Sequence, residues 1–108
     1  MYQRGDVVIC VLSGDYGKPR PAVVVQSDVF NSTHASITVC PVTTHLEDAP
    51  LFRLSLEPSG ENGLRAASQI MVDKISTLKI EKVRQRIGHL TELQIDEIDN
   101  ALKVWLNL

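Results

Sequence analysis

Short apolar runs closed by turn residues constrain this chain most. "DVVICVL" (6–12), "AVVVQS" (22–27), "SITVCPVTT" (36–44) and "SQIMVDKI" (68–75) carry Val or Ile, "LFRLSL" (51–56) is built on Leu, and a last run spans 85–90. Between them lie "SGDYGKP", "SDVFNSTH" and "EPSGENG". Runs of this length and composition read as strands, and their spacing by turns predicts a mainly β fold, a small antiparallel barrel or sandwich. Several runs are apolar on both faces. Closing a barrel buries only one face, so the other needs a helix or a partner subunit over it.

Two local features refine this. Pro41 interrupts the third run; without an N–H it predicts an edge strand or a bulge that re-aims its neighbours, Thr43 among them. After residue 90 the period changes. Thr91 and Gln94 form a capping box, with Leu90 and Ile95 as the hydrophobic staple. Ile95, Ile98, Leu102, Trp105 and Leu106 then share one helical face, with Glu92, Asp96, Glu97 and Asp99 elsewhere. This C-terminal amphipathic helix is expected to cover the barrel, with Trp105 in the core or an interface.

At 108 residues, 44% hydrophobic and 22% charged, the chain predicts one domain over residues 1–108. Its first apolar run is too short for a signal peptide or a membrane span, so a soluble, cytoplasmic protein is expected. Cys10 and Cys40 sit inside strands and read as small buried hydrophobes rather than a disulfide or metal pair. The formal net charge of −2 hides a segregation. Residues 65–86 carry six bases against two acids, net +4, whereas residues 91–108 carry four acids against one base, net −3. The basic segment is either a phosphate-attracting stripe or an ordinary solvated face.

Phosphate-loop, dinucleotide, zinc-protease and nucleophile-elbow motifs are absent, and His34, His45 and His89 are widely spaced. More telling is "GKPRPAVVVQSD" (17–28), where Pro19 and Pro21 clamp Arg20 in extended backbone. A guanidinium fixed in advance suits a phosphate at little ordering cost; pairing with a carboxylate at a strand start is the alternative. Thr43, Thr44 and His45 end the third strand. A hydroxyl there can bond a phosphate or orient a nucleophile, and His45 is either an acid–base group or a solvated loop residue.

These blocks together resemble the MazF/PemK (Kid-like) toxin family. "RGDVVICVLSGDYGKPRPAVVVQSD" resembles its opening, "SITVCPVTT" its third strand, "SQIMVDKI" its fifth and "RIGHL" its last. The resemblance implies an SH3-like β-barrel with an added helix, a homodimer, and the toxin of a bacterial toxin–antitoxin pair. It implies a metal- and cofactor-independent endoribonuclease that cuts single-stranded RNA by 2′-OH attack, leaving a 2′,3′-cyclic phosphate and a 5′-OH. By motif, Arg20 and Thr43 are the catalytic residues: Arg20 stabilises transition-state charge, and Thr43 bonds the scissile phosphate or the 2′-OH. Lys18, Tyr16, His45, Arg65, Ser68 and Gln69 are candidate RNA contacts, and the loop Ser13–Lys18 is expected to border the channel. Tyr16 and Phe30 are the plausible base-stacking residues; Tyr16 could equally pack internally.

A cognate MazE/PemI-like antitoxin with an acidic, partly disordered tail is the implied partner, with DNA met only through it and no membrane contact. There is one departure from the family. Some relatives carry an arginine–aspartate pair before the fifth strand, where this chain has "GLRAASQ". Thr43 or His45 is then left to orient or deprotonate the nucleophile. Two rival readings share the fold: a CcdB-like gyrase poison using a C-terminal tryptophan, and a non-catalytic SH3-like binding module.

Overall fold

A computed structural model describes residues 1–14 and 16–108; Asp15, within the Ser13–Lys18 loop, lies outside the described residues. Among the described residues seven strands form: β1 (Asp6–Val11), β2 (Pro19–Val24), β3 (Ser36–Thr43), β4 (Arg53–Leu56), β5 (Ser68–Met71), β6 (Ser76–Lys79) and β7 (Val83–His89). A one-turn helix α1 (Asp28–Asn31) follows β2, and α2 (Glu92–Leu106) ends the chain. The sheet is antiparallel in the order β4-β5-β3-β2-β1-β7, with β6 also on β3, and it curls like a barrel without closing.

Alternation along the strands builds two cores. Val7, Val23, Cys40, Val42 and Ile70 face α2 and meet its Ile98 and Ala101. Val8, Cys10, Ala22, Val24, Ile37 and Val39 face the other way, closed by Val83 with Leu78 and Ile80 beside it. The doubly apolar strands are thus explained, with the helix covering one side. The capping box is present: Gln94 N donates to Thr91 Oγ1 (3.2 Å) and Thr91 N to Gln94 Oε1 (2.9 Å). The helix is fully buried only at its middle, Ile98 and Ala101; Trp105 is 47% exposed and stands edge-on to Phe52, ring centroids 5.7 Å apart.

The opening Arg4-Gly5-Asp6 braces this arrangement. Asp6, 2% exposed, accepts from Arg86 Nε (3.0 Å) and Gln3 N (2.8 Å), and its Oδ1 lies 2.8 Å from His89 Nδ1. Arg4 ties α2 to the end of β2 through Asp99 and the Val25 carbonyl. Gly5 has φ +92°, a backbone conformation that strains any other residue, and a Cβ there would sit 2.5 Å from Ile95 Cδ1 and displace that side chain.

Pro41 corrects two expectations at once. β3 is an internal strand, not an edge. On its far side β5 pairs Val42 with Ile70, and β6 pairs Val39 with Ser76. Cys40 and Pro41 therefore face an interruption, which the partner chain crosses as a 3-10 turn, Val72–Lys74. The expected strand over 68–75 stops at Met71 and gives way to that turn, and β6, a strand not expected from the sequence, resumes the pairing on β3 past the residue that has no N–H to pair. The boundaries of β2 and β4 differ too: β2 begins at Pro19 rather than Ala22, and β4 at Arg53 rather than Leu51.

Candidate active site

The site begins with a splay between two strands. β2 and β3 run in register as far as Ala22↔Pro41. Beyond that pair, Pro19–Pro21 stay on β1 (Cys10↔Arg20), while Val42 and Thr43 turn to β5. Proline has no N–H to offer a further strand, so "PRP" suits a lip left open on one side. The wedge is a cleft of about 270 Å³ lined by Arg20 and Pro21 on one side and by Pro41, Thr43 and Thr44 on the other, with Ser68 and Met71 at its floor and end.

Arg20 and Thr43 therefore share one cleft. Three hollows adjoin it. One, of about 330 Å³, shares Pro21, Thr44 and Ser68 and is bounded by Arg65 and Gln85. A second, of about 370 Å³, opens where the 3-10 turn leaves Pro41 and adds Ser13 and Lys74. A third, of about 420 Å³, continues past Ser13 to Lys79 and Lys82. The trough so formed carries Arg20, Arg65, Lys74, Lys79 and Lys82, and no carboxylate lines it among the described residues. Of the basic segment, Arg86 is instead paired with Asp6, and Arg84 lies outside the trough lining.

The other candidates divide. Ser68 is buried, and its hydroxyl donates to the Ala66 carbonyl at 2.8 Å. Tyr16 is fully exposed at φ +53°, so its ring does not pack internally, and Lys18 beside it is exposed. Phe30 lies on α1 against His34, ring centroids 6.2 Å apart, and is not a lining residue of the trough.

His45 N donates to Thr43 Oγ1 at 3.1 Å, while its imidazole is solvent-facing, 3.9 Å from Glu47 Oε1. Gln69, opposite Thr43 in the β3–β5 register, is directed at the loop instead of the cleft: its Oε1 accepts from Glu47 N (3.0 Å) and its Nε2 donates to Glu47 O (2.9 Å). Sequence reasoning missed Arg53, which donates to the His45 carbonyl (3.0 Å) and to Gln69 Oε1 (3.1 Å). An arginine in a strand run of otherwise apolar residues was the available signal.

The three histidines stay apart, and among the described residues no three His, Cys, Asp or Glu side chains converge. Cys40 is a buried thiol, and desolvation pushes it up to about 12, with nearby Arg4 lowering and Asp73 raising it.

The chain is similar to known proteins along nearly its whole length. The family model for "PemK-like, MazF-like toxin of type II toxin-antitoxin system" matches residues 3–106. A "Probable endoribonuclease MazF" of Mycolicibacterium smegmatis is 41% identical over 98% of this chain and 97% of its own. Two solved structures share the fold. An endoribonuclease in complex with its cognate antitoxin, from a mycobacterial species, has TM-score 0.84 at 24% identity, covering 100% of this chain and 97% of that one. The Mycobacterium tuberculosis toxin MazF-mt6 has TM-score 0.83 at 22% identity, covering 95% and 97%. With the family model spanning the chain from β1 to the end of α2, this protein belongs to the PemK-like, MazF-like toxins of type II toxin–antitoxin systems.

Proposed function

We propose that the chain is an endoribonuclease toxin that cleaves single-stranded RNA in the wedge between β2 and β3. One observation carries the reading: Arg20 and Thr43, 23 positions apart in sequence, line one cleft inside a cationic trough free of carboxylates among the described residues. The trough follows the phosphodiester backbone, and the wedge takes the scissile phosphate.

The chemistry follows from what each group can do. The 2′-oxygen attacks phosphorus as it loses its proton, the bond from phosphorus to the 5′-oxygen breaks, and the leaving 5′-oxygen takes a proton from water, so that a 2′,3′-cyclic phosphate and a 5′-hydroxyl result. Charge builds on the non-bridging oxygens, where the fixed Arg20 guanidinium meets it. Thr43 already accepts from His45 N–H, so the hydroxyl's own hydrogen is what it offers the phosphate. With Ala66 and Ala67 before β5 in place of an aspartate, Thr43 orients the 2′-OH, whose proton passes to solvent, and the exposed His45 side chain meets the RNA from the loop. Arg65 and Ser68 border the neighbouring nucleotide, and Tyr16 and Lys18 contact RNA from the loop before β2.

The protein acts in the cytoplasm as a homodimer, and its antitoxin covers the same trough with an acidic segment. No helix of the described chain is long and apolar enough to cross a membrane.

The test is incubation of purified protein with single-stranded RNA in EDTA, with end-group analysis. Cyclic-phosphate ends that disappear in Arg20→Ala are expected. Intact RNA together with blocked DNA supercoiling would transfer the protein to the gyrase-poison class.

A further inference from the structure

Thr43 is the last residue of β3, and the loop that follows it is exposed and rich in charge. Such loops are ordinarily mobile, and a hydroxyl at the end of a strand has no intrinsic reason to keep one rotamer. Here the loop is tied down by two side chains that do not line the cleft. Gln69, 7% exposed, satisfies both the N–H (3.0 Å) and the C=O (2.9 Å) of Glu47, as a neighbouring strand would. Arg53, whose side chain is 9% exposed, donates to the His45 carbonyl (3.0 Å) and to Gln69 (3.1 Å), with its second nitrogen 3.5 Å from the Glu47 carboxylate. The loop held in this way delivers His45 N–H to Thr43 Oγ1 at 3.1 Å.

We propose that Gln69 and Arg53 are positioning residues for RNA cleavage: they latch the 45–47 loop so that the His45 amide fixes the Thr43 hydroxyl in the cleft. The proposal rests on the nuclease reading of that cleft. It gives Gln69 a role different from RNA contact, because its carboxamide oxygen and nitrogen are both committed to the loop. It also accounts for a guanidinium buried at the edge of the sheet. The Glu47 carboxylate alone is a poor reason to bury Arg53, since half of the Glu47 side chain is in water. Two carbonyl-type acceptors and a carboxylate together satisfy the buried end of its fork.

The consequence is specific. Releasing the latch leaves the cations of the trough in place, so RNA still binds. What is lost is the orientation of one hydroxyl, and a misplacement of that order costs up to about 10²-fold in rate. The informative variants are Gln69→Glu and Arg53→Ala. The first keeps shape and both acceptor functions but sets a carboxylate oxygen against the Glu47 carbonyl. Each is made alone and with Thr43→Ala, and residual cleavage is followed over long incubations. Hydrogen exchange at residues 44–48 is measured alongside.

The expected result is a kcat lower by about 10- to 100-fold with KM for RNA unchanged, faster exchange in the loop, and no further loss once Thr43 is alanine. Three results would overturn the proposal: KM rising while kcat holds, unchanged exchange, or full additional losses in the Thr43→Ala background. Where Arg53→Ala does not fold, Arg53→Lys is read in its place, because one ammonium cannot span both His45 and Gln69 as the planar fork does. A wild-type protein inert on RNA overturns the nuclease reading and this proposal with it. An active wild type with indifferent latch variants overturns the proposal alone.

Discussion

If the trough follows an RNA backbone, its affinity must depend on salt in a calculable way. Five cations line it: Arg20, Arg65, Lys74, Lys79 and Lys82. For a single strand, each neutralised phosphate adds about 0.7 to the slope of log affinity against log salt, so five contacts give a slope near −3.5. Between 50 and 200 mM salt that is a loss of about 10²-fold. The measurement is fluorescence anisotropy with a 2′-deoxy-substituted oligonucleotide, which lacks the attacking hydroxyl and stays intact. Lys79→Ala should reduce the slope by about 0.7 and weaken every sequence alike. Arg84→Ala, outside the trough, should leave the slope unchanged. A flat response for the wild type, or a slope that moves with Arg84 and not with Lys79, would refute this placement of the RNA.

Two further expectations concern the frame. Ile98, 1% exposed under the sheet, should cost about 2–5 kcal/mol when replaced by alanine, read as a shift in urea midpoint at constant m. With burial pushing the Cys40 thiol up to about 12, it stays protonated at neutral pH and gains reactivity only as pH approaches that value, so a thiol reagent at pH 8 should label it only after denaturation.

The sequence made the strands other than β6, and the last helix, legible for physical reasons. Val- and Ile-rich runs have few other uses, and Thr91, Gln94, Leu90 and Ile95 form a local signal that needs no tertiary context. What stayed hidden was decided by distant partners. Nothing in "SQIMVDKI" announces a break at Val72, because the break answers Pro41 some thirty positions earlier. α1 is a single turn, too short for periodicity, and rests on the Ser27 cap: its Oγ accepts from Val29 N at 3.2 Å. The pairing of Arg20 with Thr43 came from resemblance, since local chemistry left each with an ordinary alternative. The resemblance offers Gln69 only as an RNA contact, and it is the folded loop that gives its amide the Glu47 backbone to bond.

The pairing of β1 with β7 has a consequence for the birth of the molecule. Asp6 meets His89 across 83 positions of sequence, and Arg4 meets Asp99 across 95. The strands carrying Arg20 and Thr43 are made before the edge and helix that close their two cores. A nascent chain therefore passes the ribosome exit with its cleft residues already synthesised and no frame to hold them. Contacts of such long range form late and slowly. The cleft is completed only once β7 and α2 have been made, so a chain aborted before β7 carries Arg20 and Thr43 without the means to align them.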